Sequence, residues 1–256
     1  MKKTLIALMI ATVSGSATAE SGTVTFSGTY EVQKETPWEV IIGKGESNLD
    51  AVIKLGEKMV LLKNSSAIPI LGIRTKARSF FNAASSISPQ IDFGGMLDLN
   101  DGHKGMAKLS IPATGIDGTK IATLIAPLTM GAQVITYEIK DRSALNAAMI
   151  APKAGDAFFG GLPTSAEASL NWQTVWDKIY GISTEFTKNF DGSLYPRWNS
   201  DHYISSQFNS EGYSYEAFYG SGIEANQEVG LLLDEPAKIT GSISWVASLP
   251  ITVSYM

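Results

Sequence analysis

The last sixteen residues of the chain, GSISWVASLPITVSYM, carry no charge and alternate with a period of two. Ile243, Trp245, Ala247, Leu249, Ile251, Val253 and Tyr255 fall on one face, with Ser242, Ser244, Val246, Ser248, Pro250, Thr252 and Ser254 on the other. Such a run is a strand that buries one face and shows water the other, and it is long for a globular protein. Pro250 cannot donate to a ladder, so this part of the strand belongs at a sheet edge or beside a bulge. A long, uncharged edge that is apolar on one side invites another chain to pair with it. The C-terminus therefore requires a neighbour.

The opposite end offers one. In SGTVTFSGTYEVQ, Val24, Phe26, Tyr30 and Val32 share a face, Gly28 keeps the period, and Thr23, Thr25, Ser27, Thr29 and Glu31 share the other. A terminal strand is poorly ordered unless something holds it. The two ends are complementary if they belong to successive copies, the strand of one completing the sheet of the next by backbone hydrogen bonds and alternate side-chain pockets. Burying those four apolar side chains would contribute on the order of 10 kcal/mol before ordering costs. A head-to-tail contact of this kind does not close on itself, so it builds a filament.

Ahead of that strand lies MKKTLIALMIATVSGSATA, with basic Lys2 and Lys3, an apolar run from Leu5 to Val13 and a small-residue exit at Ala17-Thr18-Ala19. This is the form of an export signal over residues 1–19. The expected organisation is that signal, an N-terminal strand over 20–35 and one domain over 36–256. Removing Lys2 and Lys3 leaves 18 basic residues against 25 acidic, which argues against a nucleic-acid partner. There is no cysteine, so neither a disulfide framework nor thiolate chemistry is open to an exported chain of this sequence. His103 and His202 are the only histidines, and no Gly-x-Ser-x-Gly elbow, Walker loop or His-Glu-x-x-His helix occurs. No enzyme, cofactor or metal is expected. Asp98, Asn100 and Gly102 hint at a calcium loop, but the glycine falls one place early and Leu109 stands where the closing glutamate would be. A hairpin turn through Asp101-Gly102 is the expectation.

Short apolar segments separated by Gly, Pro, Asn and Asp predict strands at Trp38 to Ile42, Met59 to Leu62, Ile68 to Arg74, Ile91 to Leu99, Gly105 to Ile111, Lys120 to Pro127, Gln133 to Ile139, Ser183 to Phe190, Tyr213 to Tyr219 and Ala237 to Tyr255. So many short strands suggest a sandwich. Ser143 to Met149 is Ala-rich and reads as a helical turn or two. Thr164-Ser165-Ala166-Glu167 has the form of a capping box, followed by Trp172, Val175, Trp176 and Ile179 at helical spacing, which predicts a helix over about Ser165 to Tyr180.

The N-terminal Gly-Thr-Val-Thr-Phe-Ser-Gly-Thr, the alternating C-terminal strand and the penultimate Tyr255 resemble those of pilus subunits assembled by the chaperone/usher pathway. The length and lack of cysteine are similar to the kappa-class fimbrial proteins of enterotoxigenic coliforms. The resemblance implies an all-β, incomplete immunoglobulin-like sandwich with small helical insertions, completed by a donor strand from another subunit. Carried over by position, it implies donor residues Val24, Phe26, Gly28, Tyr30 and Val32, and a chaperone and acceptor strand of Leu249, Ile251, Val253 and Tyr255. The partners it implies are a periplasmic chaperone, an outer-membrane usher and neighbouring subunits, with a route through the periplasm to the surface fimbrium of a Gram-negative bacterium.

Residues 172–219 hold 13 of the chain's 24 aromatic side chains. Rings beside polar groups can form a sugar platform, and Trp198, Asp201, His202 and Tyr203 are the candidate contacts for a host glycoconjugate. A helical aromatic stripe is also ordinary core packing. The expectation is a fimbrial subunit used for adhesion to host epithelium, minor or structural. A glycan-binding major adhesin and an outer-membrane β-barrel are the alternatives.

Overall fold

Period-two apolar segments become strands in the computed structural model, which describes residues 35–46, 49–191, 197–199, 202–238 and 241–256. In chain order the strands are β1 Trp38–Ile42, β2 Met59–Lys63, β3 Ile68–Thr75, β4 Phe81–Asn82, β5 Pro89–Asp92, β6 Leu97–His103, β7 Met106–Thr114, β8 Lys120–Glu138 and β9 Ser143–Ala148. The helices α1 Trp172–Ile182 and α2 Thr184–Thr187 follow, then β10 Arg197–Asn199, β11 Tyr213–Ile223, β12 Glu228–Leu233, β13 Val246–Ala247 and β14 Thr252–Tyr255.

Three antiparallel lanes organise the sheet. β8 is the central one, and β11 and β12 lie end to end along one side of it. β3 and β2 lie end to end along the far side of β11 and β12. On its other side β8 pairs with β7 over its first half and with β9 over its second. β1 extends the β3 half, and β6 and β13 flank β7. β14 pairs with β5 in a separate two-stranded ladder.

Burial along β8 reports what covers each half. Ala122, Leu124, Ala126 and Leu128 are buried and alternate with half-buried residues, so that half has one covered face. From Leu128 to Ile135 every residue is buried, because α1 lies on the outer face there. Inside, Leu71, Ile73, Leu109, Ile111, Leu124 and Val229 meet Ile91, Phe93 and the odd-numbered residues Trp245 to Tyr255 in one apolar core. Trp38, Phe81, Phe158, Phe208 and Tyr215 pack edge-on at one end of it. The architecture is an all-β sandwich with a small helical insertion, and its sheet does not close into a barrel. Thr36–Met256 forms one compact unit.

Three glycines let the helices sit on the sheet. Gly72, Gly220 and Gly131 are register neighbours across β3, β11 and β8. A Cβ on them would stand 2.1 Å from Phe186 Cδ1, 2.2 Å from Ile179 Cγ2 and 2.7 Å from Val175 Cγ2, respectively. A strand glycine marks such a close approach, and here the row forms a trough across three strands. The buried Arg74 of β3 closes one end of it. Its guanidinium donates to Glu39 Oε2 of β1 at 2.9 and 3.0 Å, and to the carbonyl oxygen and Oε2 of Glu185 on α2.

Several local expectations are corrected. Ser183 to Phe190 is not a strand: α2 occupies Thr184–Thr187 and drives Phe186 against Gly72. Ser143 to Met149 is not helical, because β9 pairs with β8 and its small Ala144, Ala147 and Ala148 fill buried positions. The helix begins at Trp172, later than the capping-box position, with Asn171 Oδ1 accepting the Thr174 N–H at 3.0 Å. The segments Lys120 to Pro127 and Gln133 to Ile139 form one strand, since Gly131 serves the trough rather than a turn. Ile91 to Leu99 is divided at Gly94 and Gly95, both at positive φ, between β5 and β6. The hairpin tip lies at Lys104-Gly105, where both φ are positive, and Asp101-Gly102 falls in an irregular stretch of β6. β14 is separated from β13 by Pro250, so Ala237 to Tyr255 is not one continuous ladder. The barrel alternative is overturned by the open sheet and the apolar interior.

Candidate functional site

The C-terminal segment keeps its period of two where the ladder is broken. Trp245, Ala247, Leu249, Ile251, Val253 and Tyr255 are half-buried, while Ser244, Val246, Ser248, Pro250, Thr252 and Ser254 are exposed. Apolar residues of β7 and β8 on the same core are almost wholly buried, Leu109 at 1 % exposure and Leu128 at 0 %. The apolar face of the last segment is therefore only partly covered.

What it faces is a groove of about 840 Å³. Its floor consists of Ile68 and Ile70 from β3, Ile111 from β7, Leu124 from β8, Ile223 from β11 and Val229 from β12. One wall is the chain leaving β1, from Ile42 to Glu46, and the other is Ser242 to Ile251. The groove thus opens the apolar core between the first strand of the domain and its last segment.

Both walls offer backbone. Among the described residues, β1 has a ladder only with β3, and the Gly43 N–H continues that pairing to the Ile70 carbonyl at 2.8 Å. On the opposite wall, β13 is paired with β7, and β14 with β5. Ile42 and Ile243 stand at the rim with 55 % and 61 % of their surface exposed. An elongated apolar slot between two partly unpaired strands is shaped for an extended peptide, whose alternate side chains enter the floor while its backbone bonds to the walls.

Of the sequence-predicted positions, Leu249 and Ile251 line this groove, and Val253 and Tyr255 continue the same face along β14. Pro250, between them, lies against Gly94, whose added Cβ would stand 2.6 Å from Pro250 Cγ. Val24, Phe26, Gly28, Tyr30 and Val32, the signal over 1–19, and Asp201 lie outside the described residues. Trp198 is described in its backbone alone, paired with Leu145 of β9. His202 is exposed, whereas Tyr203 packs with Trp172, Trp176 and Phe190 on the cluster beneath α1. Burial, with the Glu167 charge adding, raises the Tyr203 hydroxyl above its ordinary range. Of the four proposed sugar contacts, only His202 and Tyr203 have described side chains.

Most of the aromatic-rich stretch is used in packing. Phe186, Phe208, Phe218 and Tyr219 are wholly buried, and Phe190 meets Phe218 edge-on at 4.9 Å. On α1 the half-buried Trp176 stacks with the exposed Tyr180 at 4.5 Å and 15°. Sequence reasoning missed the groove floor and the Ile42 to Glu46 wall. The available signal was that β1 is a short strand followed by Gly43 and Gly45, so it leaves its sheet early.

All of residues 1–256 match the model of a family described as "Fimbrial, major and minor subunit". The chain is 25% identical to the F41 fimbrial protein of Escherichia coli over 289 aligned residues, which cover 100% of each sequence.

Proposed function

Because the chain belongs to the fimbrial major and minor subunit family, whose members associate in the surface fimbriae of Gram-negative bacteria, we propose that it polymerises by strand donation. The groove between β1 and the C-terminal segment takes an extended strand from a neighbouring subunit, and residues 20–35 of each copy are that strand. The observation that carries this reading is the half-covered C-terminal face above an apolar floor, because an exposed slot of that kind calls for an occupant. Val24, Phe26, Tyr30 and Val32 present their apolar face to the floor, and Gly28 accommodates the tightest approach. The 20–35 strand and the 36–256 domain are then two functional parts of one subunit.

Leu249, Ile251, Val253 and Tyr255 form the edge that a periplasmic chaperone holds until an outer-membrane usher exchanges it for the next subunit. The signal over 1–19 delivers the chain to that route, and the chemistry is non-covalent throughout. The aromatic side chains spent on the core support a minor or structural role in an adhesive fibre. The stacked Trp176 and Tyr180 keep a second reading in play, a major subunit that holds a host glycoconjugate on α1.

The test compares the natural mature chain with a variant in which residues 20–34 follow Met256 through a short flexible linker. Strand donation predicts that the variant is a monomer by light scattering and melts higher, while the natural chain polymerises. Two equally stable monomers would refute it. Binding of the natural chain to a glycan array, lost in Trp176→Ala, would favour the second reading.

A further inference from the structure

Four apolar side chains stand out into solvent at one end of the sandwich. Ile116 is 96 % exposed and Val52 93 %, with Leu55 and Ile243 at 61 % each. Backbone and side-chain contacts bring the segments that carry them together. Thr114, two residues before Ile116, is in register with Val246, three after Ile243. The Gly115 N–H donates to the Thr119 carbonyl at 2.9 Å, closing the turn that presents Ile116. Lys120, which leaves that turn, pairs with Asp234 at 2.7 Å, and the Gly56 N–H, next to Leu55, donates to the Ala237 carbonyl at 2.9 Å. Single exposed apolar residues are ordinary, but a group of them gathered on one tip marks a contact surface.

The tip borders the strand-accepting groove, whose lining at that end is Leu49, Asp50 and Ser242 to Val246. At the other end the core is closed. Trp38 donates its indole N–H to the Ile87 carbonyl there, and Met256 and Ser88 exchange backbone hydrogen bonds at 3.1 Å. A strand lying in the groove therefore leaves it at the tip. The chain then allows little slack, since only Gln33, Lys34 and Glu35 separate Val32 from Thr36. Four residue steps of about 3.5 Å, fully extended, keep Thr36 within about 14 Å of Val32. The domain that donates the strand is thereby held against the tip.

That domain has an apolar end of its own where its strand leaves it. The Lys76 N–H donates to the Pro37 carbonyl at 2.8 Å. A few residues on, Phe80 meets Tyr137 with 5.5 Å between ring centroids, beside Ile139, which is 51 % exposed. Ile139 follows directly on β8 at the end remote from Lys120, so the long central strand has an apolar surface at each end. We propose, resting on the strand-donation reading, that successive subunits also meet end to end. The Val52, Leu55, Ile116 and Ile243 tip of the acceptor packs on the Phe80, Tyr137 and Ile139 end of the copy whose strand it holds. A strand alone joins two domains like beads on a thread, whereas a second contact beside the tether fixes their angle and stiffens the fibre. The tether supplies a high effective concentration, so a small apolar contact is enough.

The chain has no cysteine, so Ile116→Cys and Ile139→Cys can be combined in one mature chain and treated with a short bifunctional maleimide. The pair should give a covalent ladder on a denaturing gel, about tenfold stronger than Lys108→Cys with Ile139→Cys, because Lys108 is exposed on the flank of β7. Light scattering of the same samples separates the two ideas. Polymer without excess ladder overturns the end-to-end contact and leaves strand donation standing, whereas absence of polymer overturns both. Built into the variant with residues 20–34 behind Met256, the pair should give no ladder. An equal ladder there would mean a tip that adheres without a donor, and would overturn the assignment of the donor as its occupant. Val52→Glu with Ile116→Glu gives a second readout. The double variant should melt like its parent when the strand is moved behind Met256, and with the natural chain order it should give polymer of about threefold lower mean mass. An unchanged mass overturns the proposal.

Discussion

Gly220→Ala should lower stability by about 1–2.5 kcal/mol although it adds one methyl group to a strand. The added carbon would stand 2.2 Å from Ile179 Cγ2 and 3.1 Å from Phe186 Cδ2, where carbon atoms normally keep about 3.5–4.0 Å. Ile179 is wholly buried and Phe186 nearly so, so neither can swing into water. The colliding atoms belong to side chains rather than backbone, which keeps the cost within the usual range for overpacking, about 1–3 kcal/mol, and towards its upper end. Loss of glycine's unfolded-state freedom offsets about 0.5–1 kcal/mol of that at most. For a domain of this size the net effect is a fall in Tm of about 2–10 °C, read by calorimetry or circular dichroism on the mature chain. Gly181→Ala is the control, since its Cβ would meet nothing within 4 Å and α1 should gain up to about 1 kcal/mol. Ile179→Ala combined with Gly220→Ala should cost at least about 1 kcal/mol less than the two changes summed, because the new methyl enters the vacated space. An unchanged or raised Tm for Gly220→Ala, or strict additivity with Ile179→Ala, would refute the trough.

Arg74→Met should destabilise by about 1–3 kcal/mol in urea unfolding, since it removes a buried cation whose partners Glu39 and Glu185 are half-exposed and can rehydrate. Acid should loosen the same region. The Lys188 ammonium, with Arg74 adding, holds the Glu185 carboxyl below its usual 4.5. Its stabilisation is therefore present in full above that ordinary value and lost as pH falls below it through the lowered folded value, so the stability difference between wild type and Glu185→Gln should shrink in acid. Leu249→Asp should leave a folded subunit by circular dichroism and abolish polymer by light scattering, because Leu249 lines the groove at a half-covered position.

How much of this was legible in the sequence depended on what each segment answers to. β1 and β3 were readable because their apolar residues serve one sheet and end at turns. The C-terminal alternation was readable too, and it survives as alternating burial where Pro250 interrupts the ladder. Gly131 misled, since a glycine inside an apolar run signals a turn unless the partner that lies upon it is known. Ser183 to Phe190 misled for the complementary reason: its β-forming residues yield to the trough that receives Phe186, a tertiary preference overriding a local one. The groove was half legible. Leu249 and Ile251 stand out by period, whereas Ile68, Ile111, Leu124, Ile223 and Val229 look like any core residues until five strands bring them to one floor.

The strand lanes also set an order of events during export. β3 gains β11 only through residues far later in the chain, 148 positions in the Gly72 and Gly220 register (220 − 72), and β5 waits for β14. A chain that emerges N-terminus first exposes its apolar β3 and β5 segments until nearly all of its length is out. Pairing across such separations is slow because loop closure precedes the contacts that stabilise it. The subunit's most vulnerable interval is thus before folding, when unpaired strands of many copies share one compartment. A factor that shields those early strands would raise the yield of subunits without adding anything to the stability of the finished fold.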